Sequence, residues 1–151
     1  MKKIITKSDL ETINLGEKLG KLIKDLNIIV LLEGDLASGK TTFTKGIAKG
    51  LGINKIIKSP TFNILKIYEE NGYKLNHLDL YRLSNVGLDF DLEEYIYDSN
   101  ATTVIEWPNQ VKELLPKDNY IHVKLINNIN ERTLIFSSNK YSEVVNKLWI
   151  I

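Results

Sequence analysis

The chain has 151 residues, the length of about one domain, and its hydrophobic fraction of 43% is enough to fill a single core. Its 20 basic and 19 acidic residues argue against a strongly basic nucleic-acid surface, and the lack of cysteine excludes disulfides, thiolate zinc sites and cysteine nucleophiles. No apolar stretch resembles a signal peptide or is long enough to span a bilayer, so we expect one cytoplasmic domain over residues 1–151.

The first third of the chain predicts a helix, a strand, a glycine-rich turn and a second helix. Ser8 and Glu11 have the spacing of a capping box, and apolar residues then recur at helical intervals to about residue 25. Residues 27–33 contain a short run rich in β-branched residues, which is typical of a strand buried on both faces of a parallel sheet. The second helix is predicted over residues 40–51 and ends at Gly52.

The rest of the chain predicts strands separated by short helices. Residues 61–68 and 73–79 predict an antiparallel hairpin, because the Asn71-Gly72 step between them favours a tight turn. Residues 102–106 predict another buried strand, and residues 120–126 and 132–136 predict two late strands joined by a polar turn. Short helices are expected over residues 89–97, 109–115 and 141–150. Helices interleaved with strands indicate an α/β domain.

The turn after the first buried strand matches the Walker A pattern of a phosphate-binding P-loop. It reads Gly34-Asp35-Leu36-Ala37-Ser38-Gly39-Lys40-Thr41-Thr42. Glycines let several backbone amides point at one phosphate, and the helix that follows adds its positive N-terminal end. Lys40 can bridge the β and γ phosphates, and the Thr41 hydroxyl is a hard oxygen ligand for Mg²⁺. The sequence therefore predicts a nucleoside triphosphate site. We expect ATP, because the Asn-Lys-x-Asp and Asp-x-x-Gly strings of common GTPases are absent.

Two acidic residues are candidates for the carboxylate that such a site requires. P-loop enzymes use a carboxylate at the end of a neighbouring strand to hold Mg²⁺ through water or to polarise the attacking water. Glu106 ends the buried strand 102–106, and Asp79 ends the second hairpin strand. The alternative for each is a salt-bridged strand end.

Further candidates leave two interpretations open. Ser59-Pro60-Thr61 follows the P-loop helix, where a threonine can act as a nucleotide switch, but an ordinary turn into a strand fits equally well. Trp107 directly follows the Glu106 strand and is expected half-exposed at the mouth of the site, where it can stack, gate or simply pack.

The two histidines are more simply explained as structural. His77 shares a strand face with Asp79, and a core or surface histidine is the favoured interpretation. His122 lies in an apolar late strand, where a structural role is expected. With only two histidines in the chain, a histidine-rich metal site is not expected.

Four separated strings, in this order and spacing, resemble the TsaE family of small bacterial ATPases. The resemblance extends over about residues 6–136. The strings are Gly34-Asp35-Leu36-x-x-Gly39-Lys40-Thr41-Thr42, Ser59-Pro60-Thr61-Phe62, His77-x-Asp79-Leu80-Tyr81-Arg82 and Glu106-Trp107-Pro108.

The resemblance implies a fold and a function. The fold would be a three-layer P-loop domain with a mainly parallel sheet and an antiparallel hairpin extension. The activity would be slow ATP hydrolysis with Mg²⁺ that supports synthesis of threonylcarbamoyladenosine (t6A) next to the anticodon of tRNA. The partners would be the tRNA threonylcarbamoyltransferase (TsaD) and its inactive paralogue (TsaB), with tRNA contacted indirectly.

The resemblance also implies roles for individual residues. The family's Mg²⁺ ligands map onto Thr41 and Glu106. Its catalytic residues map onto Lys40, Asp79 and Glu106. Thr12 and Arg132 fall where the family places residues near the nucleotide base. The remaining expected site residues lie within the four strings: Leu36, Ala37, Ser38, Gly39 and Thr42 for ATP, Ser59, Pro60 and Thr61 as the switch-like segment, and Tyr81, Arg82 and Trp107.

One departure from the family pattern concerns the P-loop itself. The family usually reads Gly-Ala where this chain has Ala37-Ser38. If that position requires a positive φ, Ala37 is strained by about 1 kcal/mol.

Two other functions remain open on the sequence. A small-molecule or nucleotide kinase usually needs cationic lid residues, and this chain has only two arginines, Arg82 and Arg132. A nucleotide-dependent binding module with negligible turnover is the second alternative, because an obvious arginine finger within the chain is lacking.

Overall fold

The protein folds around one seven-stranded mixed sheet. The structure, a computed structural model, describes residues 1–60, 63–81 and 92–148. The strands are β1 (Lys2–Thr6), β2 (Ile29–Glu33), β3 (Leu65–Glu70), β4 (Tyr73–Asp79), β5 (Thr102–Glu106), β6 (Tyr120–Asn127) and β7 (Arg132–Ser137). The helices are α1 (Asp9–Ile23), α2 (Lys40–Gly50), α3 (Leu92–Ile96), α4 (Ser142–Lys147) and a 3₁₀ helix (Pro108–Leu114).

Parallel strands occupy the centre of the sheet and antiparallel strands form both edges. The spatial order is β1-β7-β6-β2-β5-β4-β3. Strand β2 pairs in parallel with β5 and β6, and β5 pairs in parallel with β4. The pairs β3–β4, β6–β7 and β1–β7 are antiparallel. The expected mainly parallel sheet with one hairpin extension is therefore corrected to a mixed α/β sheet with antiparallel strands on both sides.

Two apolar clusters hold the helices to opposite faces of the sheet. Alternate residues of β2 point to opposite faces and belong to different clusters: Val30 and Leu32 are in the first, and Ile29 and Leu31 are in the second. The first cluster includes side chains from α1, α2 and α4, and the second includes side chains from α3. Strand β2 is thus buried on both faces, which explains its continuous apolar sequence.

The hairpin β3–β4 and strand β5 agree with the prediction, and several boundaries differ. Strand β3 begins at Leu65 rather than at residue 61, because the Pro60 carbonyl accepts hydrogen bonds from the Asn63 and Ile64 amides (3.0 and 2.8 Å) and closes a turn. Ile64 in that turn has a φ of 64°. Residues 61 and 62 lie outside the described residues, as do residues 89–91 of the predicted third helix and residues 149–150 of the last one.

Strand β1 was not predicted, and the segment after β5 has a different helix type. Two lysines open the sequence Lys-Lys-Ile-Ile-Thr of β1, so its strand character is weak, and pairing with β7 supplies the order. The expected short helix at residues 109–115 is a 3₁₀ helix at Pro108–Leu114.

Helices α1 and α2 touch backbone to backbone through four glycines. A Cβ atom added at Gly16 or Gly20 would lie 2.4 or 2.3 Å from a carbonyl oxygen of α2. One added at Gly46 would lie 2.1 Å from the Ile13 carbonyl oxygen, and one at Gly50 would meet a carbonyl of α1 at 2.2 Å. Any side chain at these positions would push the helices apart. The close contact fixes α1 relative to the helix that follows the glycine-rich turn.

We expect Gly46→Ala to destabilise the protein. The added methyl cannot avoid the Ile13 carbonyl, and overpacking of this kind costs about 1–3 kcal/mol, more than the roughly 1 kcal/mol that alanine gains in a helix. Denaturant unfolding measures the difference. Lys45→Ala, at the exposed neighbouring position of α2, is the matched control and should change stability by less than about 0.5 kcal/mol. Equal stability of Gly46→Ala and the parent would contradict the close-contact geometry.

Candidate functional site

The glycine loop, residues 34–39, connects the end of β2 to the start of α2. Its backbone curls tightly, and the Ser38 amide donates a hydrogen bond to the Asp35 carbonyl oxygen (3.1 Å). Gly39 has a φ of 104° and Ala37 has a φ of 61°. Glycine adopts such angles freely, whereas alanine does so at a cost. Strain at Ala37 was expected if its position required a positive φ, and the structure shows a positive φ there.

Lys40 is buried beside the loop that precedes it. Its Nζ donates hydrogen bonds to the carbonyl oxygens of Gly34 (2.6 Å) and Asp35 (2.8 Å), and it lies 4.3 Å from the ring centroid of Trp107. Burial lowers the pKa of the Lys40 ammonium group below its ordinary value, and the charges of Glu106, Asp79 and Asp35 oppose part of this effect. The cation is thus held inside the loop, on a flexible stem within reach of the cleft.

Thr41 and Glu106 meet across 65 positions of sequence. Thr41 lies in the first turn of α2, and its Oγ1 donates to Glu106 Oε2 at 3.3 Å. Glu106 ends β5 and is 3% exposed. A hydroxyl and a carboxylate oxygen form the hard donor set that Mg²⁺ prefers, so these two residues fit the metal that the sequence predicts.

Asp79 lies next to Glu106 because their strands are paired in parallel. Asp79 and Glu106 are direct partners in the β4–β5 register. The Asp79 carboxylate accepts hydrogen bonds from the Ser59 hydroxyl (3.4 Å) and the Tyr81 amide (3.1 Å). The segment at Ser59 and the end of β4 therefore meet at this carboxylate. Thr61 and Arg82, which were also expected at the site, lie outside the described residues.

Trp107 covers one side of the site from a backbone conformation that is unusual for its size. Its φ of 62° and ψ of 54° place it in the left-handed region, directly before the 3₁₀ helix. The centroid of the Trp107 ring lies 4.8 Å from the centroid of the Tyr81 ring. The ammonium group of Lys40 lies over the face of the Trp107 ring. Residues in such sparsely populated conformations cost about 1–3 kcal/mol and cluster at functional sites.

Arg132 lies against the glycine loop from the other side. Its guanidinium contacts the Asp9 carboxylate (2.8 Å) and the Thr12 hydroxyl (3.1 Å), both on the first turn of α1. A Cβ at Gly39 would lie 2.6 Å from Arg132 Nε, so only glycine allows this approach. The sequence reasoning missed Asp9. Its position three residues before Thr12 on a helix was the available signal, because such residues share one face.

These residues line one open cleft of about 620 Å³, a volume within the range of small-molecule sites. The cleft lies at the carboxyl ends of parallel strands, where α/β sheets bind ligands. Its lining contains most of the expected residues, namely Leu36, Ala37, Ser38, Gly39, Lys40, Thr41, Thr42, Ser59, Asp79, Tyr81, Glu106, Trp107 and Arg132, together with Asp9. Thr12 lies behind Arg132 rather than in the wall, and Pro60 is outside it.

The histidines differ in their relation to the cleft. His122 hydrogen-bonds Glu33 at 2.8 Å and is not part of the cleft lining. His77 is completely buried, which makes it a core rather than a surface histidine, and it contacts Glu106 directly. Sequence reasoning placed His77 on the Asp79 face and gave no sign of this contact.

The fold and the cleft define a mixed α/β domain with a polar cleft at the ends of its central strands. A family model described as Threonylcarbamoyl adenosine biosynthesis protein TsaE matches residues 6–134. The tRNA threonylcarbamoyladenosine biosynthesis protein TsaE of Bacillus subtilis is 38% identical over 122 residues, which are 80% of this chain and 77% of the relative. The protein of the same name from Aquifex aeolicus is 33% identical over 138 residues, which are 90% of this chain and 96% of the relative.

A solved structure is similar over almost the whole chain. The crystal structure of Bacillus subtilis YdiB superposes with a TM-score of 0.77 at 32% identity, and the match covers 97% of this chain and 93% of that one. The chain belongs to the TsaE family and takes part in t6A biosynthesis. Within the described residues, no helix is long and apolar enough to cross a membrane.

Substitutions at Ala37 should report the backbone strain of the glycine loop. The side chain is exposed, so packing contributes little. Ala37→Gly should leave the free energy of unfolding unchanged or raise it by up to about 1 kcal/mol, because the relief of strain is partly offset by backbone entropy. Ala37→Val should lower it by about 1 kcal/mol or more, since β-branched residues are rare at positive φ. Denaturant unfolding of both variants measures the difference, and a valine variant as stable as the glycine variant would contradict the left-handed backbone.

Proposed function

We propose that the protein binds ATP with Mg²⁺ in the cleft and hydrolyses it slowly, and that this hydrolysis supports tRNA threonylcarbamoylation by a partner complex. The observation that carries the proposal is the convergence of Lys40, Thr41 and Glu106 at one end of the glycine loop. In this arrangement the cation can bind phosphate oxygens while the hydroxyl and the carboxylate bind the metal ion.

The phosphates would bind between the glycine loop and the first turn of α2. Backbone amides of the loop and the positive end of an 11-residue helix both favour anions there. Lys40 now donates to two loop carbonyls, and its flexible stem allows Nζ to turn toward the β and γ phosphates. Arg132, on the opposite side of Gly39, adds a second cation near the loop.

Thr41 and Glu106 would hold the metal. When bound, Mg²⁺ neutralises the charge that develops on the phosphate oxygens during transfer. Asp79 stands beside Glu106, where its carboxylate can accept a proton or hydrogen bond from an attacking water. The hydrogen bonds from Ser59 and the Tyr81 amide hold Asp79 in place for this role.

The position of Arg132 supports slow turnover in the absence of partners. Among the residues that the structure describes, Arg132 is the one arginine, and its guanidinium already contacts Asp9 and Thr12. An arginine that reaches the transferred phosphate accelerates hydrolysis by about 10³–10⁵-fold in related chemistries. A partner that supplies a cation, or moves one into the cleft, would therefore stimulate the rate. The family resemblance makes the transferase TsaD and its paralogue TsaB the expected partners.

Reconstitution of tRNA modification tests the proposal most directly. The transferase and its paralogue are assayed for t6A on tRNA with and without this protein, in the presence and absence of ATP. We expect sustained modification only with protein and ATP, and phosphate release that rises when the partners are added. Robust phosphate transfer to a small molecule or nucleotide without partners would instead support a kinase. An unchanged rate of hydrolysis with partners would contradict the proposed stimulation.

Glu106→Ala should separate hydrolysis from nucleotide binding. Loss of the metal-holding carboxylate should reduce turnover by about 10²-fold or more, whereas ATP affinity without metal should change little. Phosphate release and calorimetric binding in chelator measure the two quantities. Glu33→Ala is the matched control, since Glu33 also ends a central strand but pairs with His122 outside the cleft. Intact Mg²⁺-dependent turnover in Glu106→Ala would refute the assignment of Glu106.

A further inference from the structure

His77 is a fully buried side chain in direct contact with the candidate metal ligand. It lies on β4 and has no exposed surface. Its Nε2 is hydrogen-bonded to Glu106 Oε2 at 2.5 Å. His77 and Asp79 are on the same face of β4, and Asp79 is the register partner of Glu106, so His77 lies one step deeper in the sheet than the two carboxylates.

The same carboxylate oxygen has two hydrogen-bonding partners. Glu106 Oε2 accepts from the Thr41 hydroxyl at 3.3 Å and contacts His77 Nε2. One donor comes from the helix after the glycine loop and the other from the neighbouring strand. Together they fix the torsion of a carboxylate that would otherwise rotate about its terminal bond. The orientation of Glu106 therefore depends on His77 on its inner side.

The second ring nitrogen indicates which tautomer makes this contact. Within residues 1–60, 63–81 and 92–148, the buried His77 Nδ1 has no hydrogen-bond partner. A proton on Nδ1 would be a buried donor without an acceptor, which costs about 1–3 kcal/mol. The geometry favours a proton on Nε2, so that His77 donates to Glu106.

Packing alone does not account for a histidine here. His77 pairs in register with Val104, and Leu75 two residues earlier on the same face belongs to the apolar core. An apolar residue would continue that core without the cost of burying a polar ring. The histidine is explained if the Glu106 carboxylate needs a donor on the side away from the cleft.

We propose that His77 is a positioning residue that orients the Glu106 carboxylate for metal binding, an inference that rests on the proposed function. Groups that hold metal ligands in place typically change metal affinity or activity by about 10–100-fold when removed. The effect of His77 should therefore appear in the metal dependence of nucleotide binding, and not in binding without metal.

The test compares the affinity for a non-hydrolysable ATP analogue in saturating Mg²⁺ with that in chelator, by calorimetry. In His77→Leu we expect the ratio of the two affinities to fall by about tenfold or more, with metal-free affinity within about twofold of the parent. His77→Gln places an amide N–H near the former Nε2 and should retain most of the ratio. His77→Asn is too short to reach Glu106 and should behave as His77→Leu does.

Three comparisons make the outcome decisive. His122→Leu, which removes the other histidine–glutamate contact outside the cleft, should leave the ratio unchanged. In a Glu106→Ala background, His77→Leu should cause no further loss, because the two residues act through one interaction. If His77→Leu does not fold, as judged by circular dichroism, the Gln and Asn variants provide the same contrast with polar side chains.

The failures of the two proposals are distinguishable. A parent protein whose affinity for the analogue is the same with and without Mg²⁺ would overturn both the proposed function and the role of His77. A metal-dependent parent with unchanged ratios in His77→Leu and His77→Asn would overturn only the role of His77. Equal losses with and without metal would also overturn it, because they indicate a general disturbance of the cleft.

Discussion

The parallel pairing of β2, β5 and β4 is the constraint on which the site depends. Parallel neighbours bring their carboxyl ends to the same edge of the sheet, so the glycine loop, Glu106 and Asp79 become adjacent without any contact being close in sequence. The Trp107 amide bonds the Leu32 carbonyl at 3.2 Å, and this ladder hydrogen bond carries the alignment past the last residue of β5. The position of the cleft is therefore set mainly by strand register, and the side chains then determine its chemistry.

Much of this arrangement could be predicted from the sequence. The strand–turn–helix order around Lys40 and the charged ends of β4 and β5 are local patterns, and they placed Thr41, Asp79 and Glu106 at one edge of the sheet. Strand β1 could not be recognised, since its order comes from pairing with β7 about 130 residues later in the sequence, as the Lys2–Phe136 register shows. The contacts of His77 and Asp9 were missed for a similar reason. Each depends on a partner distant in sequence, so the helix face that Asp9 shares with Thr12 and the strand face that His77 shares with Asp79 do not by themselves identify that partner.

The shape of the cleft depends on unusual backbone conformations as well as on side-chain contacts. Ala37, Ile64 and Trp107 all have φ between 61° and 64°, and they lie in the glycine loop, before β3 and after Glu106. Each lies where the chain leaves or enters a sheet strand or α2 beside the site. Strain of this kind persists only where surrounding structure holds it. On the side of α1, the four-glycine contact with α2 brings the first turn of α1 close, and Asp9 and Thr12 there meet Arg132 beside Gly39.

The contact of Arg132 with Asp9 and Thr12 also has a consequence for how the protein folds during its own translation. It joins α1 to β7, across 120 positions of sequence in the case of Thr12. Strands β6 and β7, which complete the sheet beside β2 and order β1, follow β4 and β5 in the chain and leave the ribosome after them. A nascent chain that has already made the glycine loop, Asp79 and Glu106 thus still lacks one wall of its cleft. The cleft is therefore completed only after β7 has left the ribosome and Arg132 has reached the glycine loop.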